Sequence, residues 1–134
     1  MAKELVLVSH GAFCEALKAS TEMIMGPQDI IHAVPLLPED GSEEFQAKFL
    51  ETVKDLEEYV VFADLLGGTP CNVVSRLIME GHQIDLYAGA NMPMVIEFIN
   101  SSFTGADTDF SVAGGQGVVN VNAMLNAMAD DEDE

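Results

Sequence analysis

Short aliphatic runs alternate along this chain with segments whose apolar residues recur every three or four positions, and that alternation limits the fold more than any other feature. A run that is apolar at every position suits a strand covered on both faces, whereas recurrence at three and four marks one face of a helix. Repeated alternation of the two means βαβ units, a parallel sheet with helices on both faces, and right-handed crossovers. The predicted class is α/β, an open, mainly parallel sheet of about four parallel strands with helices on both faces.

Residues 4–9 read as the first strand, ending at Ser9-His10-Gly11. Phe13, Ala16, Leu17, Ser20, Met23 and Ile24 recur at helical spacing until Gly26-Pro27 stops them. Residues 30–36 give a second apolar stretch, broken by Pro35 and Pro38. Asp40 and Glu43 resemble a capping pair ahead of a helix with Phe45, Phe49, Val53 and Leu56 on one face. Residues 58–66 carry the third strand, which ends at Asp64. Thr69 is a good N-cap and Pro70 a good first residue for a third helix, which Gly81 closes. Residues 83–87 read as strand four, and Asn91 or the residue after it opens a helix through Pro93. Residues 101–109 read as a loop, followed by a glycine-rich stretch from Gly114 to Gly117. The end stays open: Val118 to Val121 fits a last strand, and Val121 to Met128 a short helix.

At 134 residues the chain fits one domain, expected over 1–128, with an acidic tail at 129–134. Its 49 % hydrophobic content argues against disorder, and no apolar run reaches the ~18 residues of a membrane span. The N-terminus lacks the apolar region and cleavage site of a signal peptide. Cys14 and Cys71 make no disulfide framework and read as core residues of a reduced, cytoplasmic protein. Five basic residues stand against 23 acidic ones, a net charge of −18. Such a surface repels nucleic acid and anionic membranes, and it serves either solubility or attraction to a basic partner.

In open parallel sheets, ligands bind at the carboxyl ends of the strands near the topological switch point. Strand one ends in Ser9, His10 and Gly11; strand three in Asp64, Gly67, Gly68 and Thr69; strand four in Gly89, Ala90 and Asn91. If strands one and three are neighbours, His10 and Asp64 can meet. A neutral imidazole is a nucleophile near neutral pH; an aspartate on one ring nitrogen fixes the tautomer and stabilises the cationic ring that forms. Gly67-Gly68-Thr69-Pro70, a glycine turn into a helix, offers backbone N–H groups and a positive dipole end to an anion, and the Thr69 hydroxyl adds a donor. These parts suit phosphoryl transfer to histidine. Taken singly, each has a plainer reading as turn or cap chemistry. His32 and His82 have no acidic constellation in sequence and read as structural, and the eight methionines as core filler. No zinc-like spacing, G-x-G-x-x-G or P-loop is present, so neither metal nor cofactor is expected.

Three segments carry a family resemblance. Leu5-Val6-Leu7-Val8-Ser9-His10-Gly11 with Met23-Ile24-Met25-Gly26, then Phe62-Ala63-Asp64-Leu65-Leu66-Gly67-Gly68-Thr69-Pro70-Cys71-Asn72, then Gly89-Ala90-Asn91-Met92-Pro93-Met94, resemble the mannose-family IIA domains of the bacterial phosphotransferase system, in family order. The resemblance implies that His10 is phosphorylated by the phosphocarrier protein HPr, that Asp64 orients it, and that a IIB component takes the group for sugar entry through IIC and IID membrane subunits. It implies a homodimer exchanging an antiparallel C-terminal strand, with residues 118–121 as the candidate. Since the chain ends in an acidic tail, IIB is expected on a separate polypeptide. Three other readings stand behind this one. The phosphotransfer subunit of dihydroxyacetone kinase lacks the Gly-Gly-Thr-Pro turn. A receiver domain phosphorylated on Asp64 would need an acidic pair after strand one. A nucleotide-binding module would need its glycine fingerprint.

Overall fold

The computed structural model describes residues 3–132. β1 (Glu4–His10) holds four consecutive buried apolar residues, Leu5 to Val8, because it has a neighbour on each side and helices over both faces. The sheet order is β2-β1-β3-β4, with β2 at Ile31–Leu36, β3 at Tyr59–Ala63 and β4 at Asp85–Ala88, and all three pairings are parallel. The chain leaves β1 for β2 on one side and returns to β3 on the other, so the switch point lies between β1 and β3.

Alternate residues of β1 face opposite layers. Leu5 and Leu7 pack with α1 (Phe13–Met25), α4 (Met92–Thr104) and Phe110 of α5 (Phe110–Gln116). Val6 and Val8 pack with α2 (Ser42–Val53) and α3 (Thr69–Met79). The last helix, α6, runs Val121–Glu132. Both cysteines are buried and free, and no helix of the described residues is long and apolar enough to cross a membrane.

Several expectations are corrected. The described residues contain no C-terminal strand: 118–120 take no regular structure, and the exposed Val118 and Val119 find no neighbour to pair with within the single chain. α6 takes the other reading and runs into the acidic stretch, while Asp133 and Glu134 lie outside the described residues. α4 continues to Thr104, and the glycine-rich segment is helical. Two things hold it: the Asp109 side chain accepts the Ser111 N–H, and Phe110 is buried against Phe62, Tyr87 and Phe98. Gly114 lets α5 approach α4 so closely that a Cβ there would stand 2.7 Å from Met94 Cγ.

Asp40 caps no helix. Its Oδ2 accepts the Leu37 N–H at 3.0 Å and the Lys48 ammonium at 2.6 Å, bracing the loop after β2. Gly68, not Thr69, is the N-cap of α3. On α1 the buried stripe is Cys14, Leu17 and Thr21, leaving Met23 89 % exposed; Met79, Met124 and Met128 also face outward, so these four are not core filler, whereas Met94 is buried and Met25 and Met92 pack against the core.

Candidate functional site

The β1–β3 register pairs Val8 with Ala63, which brings the ends of the two strands together. The Asp64 N–H donates to the Val8 carbonyl at 3.1 Å, so the aspartate sits directly beside His10. Its Oδ2 accepts two hydrogen bonds from that residue, the backbone N–H at 2.9 Å and the ring Nδ1–H at 2.8 Å. Its Oδ1 accepts the Leu65 N–H at 2.9 Å. Burial alone pushes the Asp64 carboxyl up; the His10 backbone and ring and the Leu65 N–H outweigh it and hold the carboxyl below its ordinary range. The Asp64 side chain is 14 % exposed and the His10 side chain 48 %. The anchor is therefore largely covered and the imidazole open.

With the carboxylate on Nδ1, the proton of the neutral ring belongs there and the Nε2 lone pair is free. That face of the ring meets Gly68. A Cβ on Gly68 would collide with His10 Cε1 and stand 3.1 Å from Nε2. The preceding turn depends on Gly67 at φ +90°, a region L side chains avoid. The Asn72 amide donates to the Gly67 carbonyl at 3.3 Å and braces the same turn. α3 begins at Thr69 with no side-chain cap, so the backbone N–H groups of its first turn are left without intrahelical acceptors at the positive end of the helix dipole, beside Nε2. The Thr69 hydroxyl makes no capping bond there and remains a donor.

The structure thus brings together His10, Asp64 and Gly68, with Gly67 and Thr69 flanking. Asn91 stands apart as the α4 cap, its Oδ1 accepting the Met94 N–H and its amide donating to the Gly114 carbonyl. His32 does have a carboxylate partner, Glu4 at 2.8 Å, contrary to the sequence reading. That pair lies where β1 begins, away from His10 at its other end. Two residues at the site were given no role by the sequence reading. Asn72 is one; Ser9 is the other, a buried polar residue closing an apolar strand. Its only signal in sequence was that break in polarity.

Residues 4–113 match the family model EIIA-man, described as the PTS system fructose IIA component. A relative in Bacillus subtilis (strain 168), the PTS system fructose-specific EIIA component, is 33 % identical over 99 residues, covering 72 % of this chain and 68 % of its own. The crystal structure of phosphotransferase system component EIIA from Streptococcus agalactiae superposes with a TM-score of 0.83 at 27 % identity, over 90 % of this chain and 98 % of that one. The mannose/sorbose specific IIA subunit from Enterococcus faecalis gives 0.74 at 32 % identity, over 90 % and 95 %.

Proposed function

Since the chain belongs to the mannose-type IIA family of the phosphotransferase system, we propose that it carries a phosphoryl group on His10, received from phospho-HPr and handed to a IIB component. The observation that carries this reading is the imidazole tied to Asp64 through Nδ1, with Nε2 open against Gly68 and the start of α3.

The Nε2 lone pair attacks phosphorus as the bond to the donor's histidine nitrogen breaks, so one P–N bond replaces another. The Nδ1 proton stays in its bond to Asp64. The ring takes on positive charge, and the carboxylate neutralises it. In this reading the backbone N–H groups of Gly68 and Thr69 and the Thr69 hydroxyl receive the phosphoryl oxygens, with Gly67 shaping their turn. Transfer to IIB runs the same steps in reverse, and IIC and IID then couple it to sugar uptake.

Leu37, Leu65, Leu66 and Phe13, all exposed, lie on the segments that follow β2, β3 and β1. An apolar collar of this kind suits protein partners better than a free sugar. Asp64 as the phosphorylated residue, in the manner of a receiver, fits poorly, because both of its oxygens already accept N–H groups. The same reading takes residues 1–128 as one cytoplasmic domain with an acidic tail, working as a homodimer without metal or cofactor.

The test is intact-mass spectrometry after incubation with phosphoenolpyruvate, enzyme I and HPr. One acid-labile phosphoryl group should appear and be absent from His10→Ala, whose circular dichroism stays native. No gain with active donors would sink the reading.

A further inference from the structure

We propose that Ser9 is a positioning residue for His10: its hydroxyl clamps the turn that carries the imidazole, and phosphoryl transfer slows without it. The inference rests on the reading of His10 as the acceptor.

Side chains alternate along β1, so Ser9 faces the α1 layer while His10 faces α3. The Ser9 position is fully buried, at 0 % exposure, where the strand pattern calls for an aliphatic residue. A hydroxyl there costs free energy unless both its roles are used. Both are. Oγ donates to the Gly11 carbonyl at 2.9 Å and accepts the Cys14 N–H at 2.8 Å. The second bond satisfies a first-turn donor of α1, whose N-cap, Ala12, has no capping side chain. The first closes a small ring through the His10 backbone.

That ring completes a set of restraints. The His10 N–H is held by Asp64 at 2.9 Å, and the Gly11 N–H donates to the Leu36 carbonyl at 2.7 Å. Ser9 holds the carbonyl side of the turn and ties it to α1; the Cys14 thiol also reaches the Gly11 carbonyl, but only at 4.0 Å. The tolerance is small, because the imidazole is wedged between Asp64 and Gly68. Removing the hydroxyl leaves the Gly11 carbonyl and the Cys14 N–H seeking other partners. The turn then relaxes, and the ring drifts from both the carboxylate and the N–H groups of α3.

The test compares wild type, Ser9→Ala and Ser9→Thr. It uses steady-state transfer from phospho-HPr, thermal melting, and nitrogen-15 NMR of the His10 ring. Ser9→Ala should remain folded, lose about tenfold in kcat and keep its KM for the donor. The single Nδ1–H tautomer of the wild type should become a mixture. Ser9→Thr, which keeps the hydroxyl, should restore both. Unchanged kcat and tautomer in Ser9→Ala would overturn the proposal, as would a loss of kcat with the tautomer intact. Should Ser9→Ala melt below the assay temperature, Ser9→Cys fills the space with a poor donor, and an unaltered tautomer there overturns it equally. If the wild type accepts no phosphoryl group, the functional reading falls, and the tautomer comparison still decides the role of Ser9.

Discussion

At the scale of single residues, the site is a histidine held between a charge and a missing side chain. Gly68→Ala places a methyl group into His10 Cε1, so the ring must turn from the start of α3 or from Asp64. Phosphoryl acceptance should fall about a hundredfold with little loss of stability, since the exposed imidazole can move; single-turnover transfer and a denaturant curve check both. Asp64→Asn keeps the shape but removes the charge that, on the proposed mechanism, stabilises the phosphorylated ring. It should slow transfer by at least about a hundredfold without abolishing it. Its effect on stability has a definite sign. The folded state holds the Asp64 carboxyl below its ordinary value, so the stabilisation is complete above about pH 4 and is lost as pH falls through the lowered value. The gap in urea midpoint between wild type and Asp64→Asn should be widest near neutrality and close in acid. A gap independent of pH would mean that the charge of Asp64 contributes nothing to the fold.

At the scale of elements, β1 to β4 and α1 to α4 were legible because periodicity records burial directly. Leu5 to Val8 are apolar because both faces of β1 are covered, and His10 with Asp64 could be placed from strand ends alone. What escaped depends on contacts between elements. The apolar residues of α1 did not tell which stripe faces the sheet, and Met23 and Ile24 turned out to face outward. Gly114 and Gly115 argue against a helix by propensity, yet α5 forms because Phe110 enters the aromatic cluster and Gly114 admits Met94. α5 is thus a helix made by packing. Phe110→Ala should cost about 3–5 kcal/mol, read by chemical denaturation. Phosphoryl acceptance below the melting range should be retained, because Phe110 packs on the layer opposite to the one His10 faces. A cost under about 1 kcal/mol would show that α5 forms without its anchor.

At the scale of the whole molecule, charge and exposed apolar surface act against each other. A net charge of −18 draws a basic docking face towards the chain and pushes a second copy of the chain away. Meanwhile Val118, Val119, Val121, Met124, Leu125 and Met128 are all exposed along the C-terminal segment, an apolar surface that a second subunit would cover. Salt should therefore move the two associations in opposite directions. Raising ionic strength from about 50 to about 500 mM shortens the screening length several-fold. The kcat/KM for transfer from phospho-HPr should fall while kcat at saturating donor holds, because encounter is weakened and the chemistry beside Gly68 is not. Over the same range sedimentation equilibrium should show the proposed dimer tightening, since screening removes repulsion between like-charged subunits. If both associations weakened together, attraction between opposite charges would have to hold the dimer, and the C-terminal apolar surface would not be its interface. If neither responded, the acidic surface would serve solubility alone.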